Sequence, residues 1–194
     1  MLQPRVMDDP EHDDPPPIPR DLYSEYEDRP FQCCTRCGES LSDFEGGYQV
    51  SKAYRRGECV VEYALCEHCR NAMMDEFSDD SKKRLNDFHT QAIHHQGGID
   101  ECSVCGVPRR ADNIEDFVIT GLCEGTHLLD SIMICGDCGD QVQELLSAKT
   151  KDTWRRFMDD HFPGPPSLDE LPEPINLRNL PQVPSNFGPS SDPF

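Results

Sequence analysis

Basic residues, aromatic residues and long apolar runs are all scarce in this sequence. Lysine and arginine together number 18 against 37 aspartate and glutamate residues, which gives a formal net charge of −19. Nucleic acids and anionic membranes attract clustered positive charge, so this balance counts against general binding to either. Aromatic residues make up only 8% of the chain. No segment approaches the roughly 18 consecutive apolar residues of a membrane span.

Targeting and catalytic signatures are missing as well. Residues 1–22 hold no apolar segment of the kind found in secretory signals, which favours a reducing, cytoplasmic setting. The sequence has no P-loop, no G-x-G-x-x-G, no G-x-S-x-G and no H-E-x-x-H. The acidic residues run together, as solvated faces usually do, rather than as isolated acid–base pairs. We therefore predict that the chain is not an enzyme.

Cysteine is what the sequence has in excess, with eleven residues. In a reducing compartment such cysteines are more often metal ligands than a disulfide framework. Residues 38–65 separate the inner cysteines of the first two pairs, and residues 106–134 those of the last two, so the gaps are 28 and 29 residues. Eight of the eleven form Cys-x-x-Cys pairs: Cys34/Cys37, Cys66/Cys69, Cys102/Cys105 and Cys135/Cys138.

The cysteine-rich middle of the chain is an internal repeat. Aligning Cys66 with Cys135 brings further identical and apolar positions into one register. A fixed offset over so many positions indicates a duplicated unit. The matched pairs are Cys69 with Cys138, Ser78 with Ser147, Lys82 with Lys151, Phe88 with Phe157, Met73 with Val142, Phe77 with Leu146, Leu85 with Trp154 and Ile93 with Phe162.

Each copy predicts a β-hairpin followed by helix. In the first copy, strand-like runs flank a turn at Arg56–Glu58, and in the second copy similar runs flank "EGT" at 124–126. Apolar residues then recur at helical spacing after each second cysteine pair, with a break at Ser78–Asp79 in the first copy. Each copy therefore has the order Cys-x-x-Cys turn, hairpin, Cys-x-x-Cys, helix. The apolar stripes are expected to be core.

This order suits a tetrahedral metal site. A structural Zn²⁺ takes four ligands, and two Cys-x-x-Cys turns brought together by a hairpin supply four sulfurs. Gly38 and Gly106 directly follow the first pair of each copy and allow the tight turn that points backbone amides at sulfur. The second pair opens a helix, where free N–H groups favour negative charge.

The arrangement resembles two treble-clef zinc fingers in tandem, over about 130 residues. The resemblance implies a small, metal-stabilised α+β fold of two such units, each with a zinc knuckle, a hairpin and a helix. It also implies two structural Zn²⁺ per chain. The implied ligands are Cys34, Cys37, Cys66 and Cys69 in the first unit, and Cys102, Cys105, Cys135 and Cys138 in the second. Treble clefs serve many functions, so the resemblance does not choose among them.

Other uses of the cysteines and histidines stay open. A thiol-redox or disulfide role, or an iron–sulfur cluster, would also use Cys-x-x-Cys pairs. Cys33 is an alternative to Cys34, and His68 is an alternative ligand inside "CEHC". Cys59 and Cys123 are interpreted as buried structural thiols.

The histidines at the end of the first copy raise the possibility of a nuclease. Some treble-clef nucleases carry paired histidines, but they place the catalytic histidine in the hairpin before the helix. His94 and His95 come after the helix, and His127, at the second hairpin turn, has no counterpart in the first copy. A nuclease would also have to bring a negative surface to DNA. We therefore do not expect nuclease activity.

Composition divides the chain into four segments. Residues 1–32 form an acidic, proline-rich arm predicted to be disordered, and 164–194 form a proline-rich tail with the same expectation. The first zinc-finger unit is placed at 33–96 and the second at 97–163. The stretch "HHQGGID", 94–100, is interpreted as a linker between them.

Two functions fit these features. The first is a non-catalytic adaptor, in which two zinc modules with acidic arms bind another protein, one with a basic face. The second, ranked lower, is a nucleic-acid-binding regulator that uses local basic patches. No membrane and no small-molecule substrate are expected. Leu168, Leu171, Ile175, Leu177 and Leu180 in the tail suit a docking peptide or an ordinary spacer. The candidate basic patches are Arg55/Arg56, Lys82–Arg84, Arg109/Arg110 and Arg155/Arg156.

Overall fold

Two β-hairpins join edge to edge to form the centre of the fold. A computed structural model describes residues 15–42 and 46–162. The first hairpin consists of β1 (Tyr48–Arg55) and β2 (Glu58–Cys66), and the second of β3 (Phe117–Glu124) and β4 (His127–Cys135). All neighbouring strands are antiparallel, in the order β2-β1-β3-β4. The two copies of the repeat therefore share one four-stranded sheet.

The strands and turns follow from local sequence. The strands are rich in valine, isoleucine and aromatic residues, which favour extended backbone. The first hairpin turns at Arg56 and Gly57, which both have positive φ (52° and 76°), as a two-residue turn of the primed type requires. This is the turn predicted at Arg56–Glu58. Each hairpin has a register shift, beside Ala53 in β1 and beside Leu122 in β3.

Two consecutive helices, separated by a short break, follow each hairpin. In the first copy these are α1 (Glu67–Glu76) and α2 (Asp79–Ala92), and in the second α3 (Gly136–Glu144) and α4 (Ala148–His161). The predicted break at Ser78–Asp79 is confirmed, because the Ser78 hydroxyl caps α2 by accepting the Ser81 N–H at 3.2 Å. Within the described residues, no helix has the length and apolarity needed to cross a membrane.

The two copies are related by an approximate two-fold axis. From the hairpins onward, equivalent residues lie 69 positions apart, and Ser51 of β1 pairs with its own equivalent, Thr120 of β3. The pair Tyr48–Cys123 is matched on the other side by the equivalent pair Tyr54–Phe117. The Ser51 and Thr120 hydroxyls lie 3.3 Å apart on the axis. The contact between copies therefore has the form of an isologous dimer interface.

The helix caps repeat this symmetry. The Ser78 and Ser147 hydroxyls lie 2.8 Å apart, so the axis passes between them. The Ser78 N–H donates to Thr150 Oγ1 at 3.1 Å, and the Ser147 N–H donates to Ser81 Oγ at 2.8 Å. Ser81 and Thr150 are fully buried. Each helix cap is thus completed by the other copy.

Aromatic packing joins the copies on one face of the sheet. Tyr63 of β2 lies 5.8 Å, between ring centroids, from Trp154 and 5.5 Å from Phe157, both of α4. The helix of the second copy therefore packs on a strand of the first. The division into 33–96 and 97–163 stays a prediction about the sequence repeat, but the two copies share one core.

The acidic N-terminal arm was expected to be disordered over residues 1–32, and in the structure residues 15–32 of this arm lie against the sheet. Ile18 and Leu22 are buried, and the Ile18 N–H donates to the Thr126 carbonyl at 3.1 Å. Leu22, at the end of a short 3₁₀ helix, contacts Gly121 so closely that a Cβ there would clash. Composition does not indicate this packing, because the two apolar side chains are buried against a sheet that residues far along the chain form.

A buried lysine fastens the same segment. Lys52 in β1 is 1% exposed, and its ammonium donates to the Tyr23 carbonyl and to a Glu25 carboxylate oxygen, both at 2.7 Å. Glu62 lies 3.6 Å from the same ammonium. Lys52 and Gly121 point to the face opposite Tyr63, so the N-terminal segment and α4 cover opposite faces of the sheet.

The stretch 94–100 is not a free linker. The N–H groups of His94 and His95 both donate to the Ser103 carbonyl, at 3.0 and 3.2 Å, and Ile99 is buried. The stretch therefore lies against the turn that carries Cys102 and Cys105. Residues 1–14, and the proposed tail peptide within 164–194, lie outside the described residues.

Candidate metal centres

The eight cysteines of the four pairs form two clusters. In each cluster the four sulfurs lie within 4.8 Å of one another, three cysteines being buried and one exposed. The exposed ones are Cys37 and Cys105. Both clusters could hold a metal ion. The first contains Cys34, Cys37, Cys66 and Cys69, and the second Cys102, Cys105, Cys135 and Cys138.

A tight turn forms the first half of each cluster. The Gly38 N–H donates to the Cys34 carbonyl at 2.8 Å, and the Gly106 N–H to the Cys102 carbonyl at 2.7 Å. Both glycines have positive φ, 73° and 71°, which L-residues with a Cβ adopt at a cost. The sequence prediction for these two glycines is confirmed.

Each turn is attached to the second strand of its own hairpin. The Thr35 N–H donates to the Ala64 carbonyl, and the equivalent Ser103 N–H to the Met133 carbonyl, both at 2.8 Å. These bonds place the first cysteine pair beside the end of the strand, where the second pair begins a helix. Cys66 and Cys135 are the caps of α1 and α3. The hairpin thus brings the two pairs together, as the sequence predicts.

Backbone amides point at the sulfurs. The Cys66 N–H lies 3.4 Å from Cys34 Sγ, and the equivalent Cys135 N–H lies 3.5 Å from Cys102 Sγ. Burial acts to raise the pKa of the Cys34 and Cys102 thiols, but backbone N–H donors outweigh it, so the pKa of both lies below the usual value. At one cysteine in each cluster the backbone N–H groups thus favour the charged form of the sulfur over the neutral form.

The sulfur spacing fits one tetrahedral ion. Cys37 Sγ and Cys66 Sγ lie 3.9 Å apart, and Cys105 Sγ and Cys135 Sγ lie 3.7 Å apart. Four sulfurs at about 2.3 Å from a central ion form a tetrahedron with edges of about 3.8 Å. A disulfide would bring two sulfurs to about 2.05 Å. The clusters therefore have the dimensions of metal sites rather than of disulfides.

The remaining cysteines and histidines stand outside the clusters. Cys33 and His68 are exposed, and neither joins the grouped ligand atoms. Burial raises the pKa of Cys59 to about 11 and that of Cys123 to about 12, which suits inert thiols. His95 lies beside Gly106 and 4.0 Å from Glu101, on the outside of the second turn.

Most of the predicted basic patches are neutralised by carboxylates. Lys82 and Arg84 pair with Asp79 and Asp80 on their own helix. Arg109 pairs with Asp21 at 2.6 Å and also with Asp100. Further pairs join Arg155 to Asp152 and Arg156 to Glu76.

The structure also contains a cavity that the sequence patterns did not predict. It has a volume of ≈ 410 Å³ and lies between the first hairpin turn, the start of β3 and the start of α3. Its lining combines residues from both copies, which no pattern within one copy reveals. Comparison of the chain with protein-family models, curated proteins and solved structures finds no match.

Proposed function

We propose that this chain is a non-catalytic protein-interaction module whose fold is held by two structural Zn²⁺ ions. The observation that carries the proposal is the pair of four-sulfur clusters with tetrahedral dimensions. The order of knuckle, hairpin and helix supports the resemblance to treble-clef fingers. The proposal includes a reducing compartment such as the cytoplasm, because thiolates must stay unoxidised to bind metal.

The sulfur geometry favours zinc over an iron–sulfur cluster. All four sulfurs of each group lie within 4.8 Å of one another, which leaves room for a single ion. A cluster of several irons with bridging sulfides would hold its cysteine sulfurs farther apart. Tetrahedral four-sulfur sites for one ion are typical of Zn²⁺.

Four protein sulfurs also argue for a structural role. Catalytic zinc keeps one position for water or substrate, whereas a four-cysteine site is closed. A structural metal would stabilise each copy, because one copy contributes only one hairpin and two short helices to the fold. Zinc binding contributes on the order of 10 kcal/mol or more to small units of this kind.

Charge supports a protein partner over nucleic acid. The formal net charge is −19, and basic residues in three of the four predicted patches pair with carboxylates. A partner with a basic face would be attracted over a distance, and the attraction would weaken as salt is added. DNA or RNA would meet a surface of its own sign.

Elemental analysis with binding assays tests the proposal. Protein purified under reducing conditions should contain two zinc and no iron per chain, and a strong chelator should unfold it. Zinc-loaded chain should recover a protein partner that the chelator-treated chain does not recover, and high salt should reduce the yield. Absence of stoichiometric zinc would overturn the metal assignment. Tight binding of DNA or RNA that is lost in the Arg55→Gln/Arg56→Gln variant would replace the adaptor with the second hypothesis.

A further inference from the structure

The two copies differ at the start of their helices in a way that bears on the cavity. Glu67 and Arg70 of α1 have as equivalents Gly136 and Gly139 of α3, 69 positions later. At these two positions the second copy therefore has glycines, where the first copy has two long charged side chains.

The backbone around these positions is the same in both copies. The Glu67 N–H donates to the Gly47 carbonyl at 3.2 Å. The equivalent Gly136 N–H donates to the equivalent Asp116 carbonyl at 2.7 Å. Since both helices start at the same place on the sheet, the space beside them can be compared directly.

In the first copy this space encloses a guanidinium. Arg70 is 1% exposed, and its Nη2 lies 3.8 Å from a carboxylate oxygen of Glu67. The other oxygen of Glu67 lies directly over Gly46, where a Cβ would clash with it. An arginine side chain is thus sealed inside the protein beside a carboxylate. Arginine suits such a place because its guanidinium is more weakly hydrated than an ammonium.

In the second copy the corresponding space is empty. Gly136, Gly139 and Glu115, the equivalents of Glu67, Arg70 and Gly46, all line the ≈ 410 Å³ cavity. A Cβ built on Gly139 would meet no atom within 4 Å. The volume lies in the range of small-ligand sites. The cavity is therefore open at Gly139, the equivalent of Arg70, whereas a Cβ on Gly136 would lie 3.1 Å from Asp116 Cβ.

The lining suits a cation. It carries four carboxylates against two guanidiniums, and the Asp116 carboxylate is bonded to the Arg56 backbone N–H at 2.9 Å. The side chains of the other three acidic residues are exposed. The four acidic residues are Glu115, Asp116, Asp137 and Asp140, and the two basic ones are Arg55 and Arg56.

An aromatic pair forms another part of the wall. The rings of Tyr54 and Phe117 stack with centroids 4.6 Å apart, and both residues line the cavity. A planar guanidinium stacks on aromatic faces and bonds carboxylates with two N–H groups at once. An ammonium is a compact point charge that does neither as well.

We propose that this cavity binds the guanidinium of an arginine side chain presented by a partner protein. The inference rests on the proposed function, since it names the chemistry of the partner that the module recognises. The partner's arginine would take the place that Arg70 fills in the first copy. The lining carboxylates would accept its N–H groups.

Peptide titration of the isotope-labelled, zinc-loaded full chain tests this assignment by nuclear magnetic resonance. The probe is a blocked Gly-Arg-Gly tripeptide, compared with its lysine and citrulline counterparts. The arginine peptide should shift the amide signals of Gly136, Gly139 and Asp116. The citrulline peptide, equal in shape but neutral, should bind at least about tenfold more weakly, because charge-assisted hydrogen bonds contribute on that scale.

Filling the cavity supplies the decisive variant. Gly139→Arg installs the side chain of the first copy, and it should abolish the shifts caused by the arginine peptide. Thr90→Arg is the matched control, because Thr90 is an exposed residue of α2 and lies outside the cavity lining. The control adds the same charge and should leave binding unchanged.

A second variant covers the case in which Gly139→Arg does not fold, as judged by its zinc content. Asp137→Asn/Asp140→Asn removes two lining charges without adding bulk, and it should weaken arginine-peptide binding about tenfold or more. Its control is Asp87→Asn/Asp159→Asn, which removes two exposed carboxylates elsewhere.

The outcomes separate this inference from the proposed function. Equal binding of the arginine and citrulline peptides, equal shifts in folded Gly139→Arg, or no binding to the zinc-loaded wild type would overturn the assignment. If a protein partner binds wild type and Gly139→Arg alike, the cavity assignment falls and the interaction function stands. If the arginine peptide binds but no protein partner is recovered, the interaction function falls, and the cavity remains a guanidinium site.

Discussion

Replacing Leu22 by alanine tests whether the N-terminal segment belongs to the fold. Leu22 is 0% exposed and lies against Gly121 and Leu128, on the sheet face opposite α4. Deleting a buried leucine side chain costs about 2–5 kcal/mol, because transfer free energy is lost and a cavity remains. Gly121 offers no side chain to fill that cavity, so the upper half of this range is expected if the segment stays in place.

The segment can also respond by detaching, and this limits the measured loss. If the segment detaches, the measured loss in unfolding free energy cannot exceed the free energy with which residues 15–32 dock on the sheet. That docking free energy includes the bonds of Lys52 to Tyr23 and Glu25. A loss of about 3 kcal/mol would lower the melting temperature by roughly 6–12 °C for a chain of this size. The side chains of Arg20 and Arg29 are already exposed, and detachment would in addition free the backbone around them to enter the trypsin active site.

Thermal unfolding and limited trypsin digestion of the zinc-loaded protein distinguish these responses. Tyr26→Ala is the control, since Tyr26 belongs to the same segment and is 94% exposed. The control should match wild type in melting temperature and in digestion rate. If Leu22→Ala also matches wild type in both, residues 15–32 do not pack as described, and the expectation of a disordered arm holds for them.

Two further predictions concern cooperativity and pH. Cys138→Ser should cause the loss of both metal ions and the unfolding of both copies in one transition. The reason is that β1 pairs with β3 and Trp154 packs on Tyr63, so neither copy keeps its core without the other. Retention of one zinc with half of the secondary structure would contradict this prediction. Burial lowers the pKa of His89 below 6.5, because the protonated imidazole is less well solvated in the fold than in the unfolded chain. The contribution of the neutral imidazole to the free energy of unfolding is therefore fully present above pH 6.5. It is lost as the pH falls through the lowered pKa. A nuclear magnetic resonance titration of His89 should show a midpoint below 6.5, and a midpoint at or above that value would refute the burial argument.

Features that depend on one copy alone could be predicted from the sequence. The turn at Arg56–Gly57, the break capped by Ser78 and the two cysteine clusters each follow from local residue chemistry. Their determinants lie within a few residues or recur at a fixed spacing, so a pattern search finds them.

Features that depend on both copies could not be predicted in this way. Pairing of β1 with β3 is made by backbone groups, which every residue except proline carries, so the strand sequences do not name their partner. Docking of Ile18 and Leu22 depends on a surface formed by distant residues. Average composition, dominated by acidic residues and proline, conceals these two side chains. The cavity was missed for a related reason, because it exists only where Arg55 of one copy meets α3 of the other.

Duplication within one chain explains how a symmetric core and an asymmetric surface coexist. Near the axis, each residue contacts its own equivalent, as Ser78 contacts Ser147, so a change in one copy must be matched by the other. Away from the axis this constraint disappears, and the copies are free to differ. Arg70 is buried on the helix that begins at its own cysteine cluster, whereas Gly139 leaves the equivalent position open. A homodimer of single units would have two filled sites or two open ones. One chain with two copies can keep the first filled for stability and leave the second open for recognition.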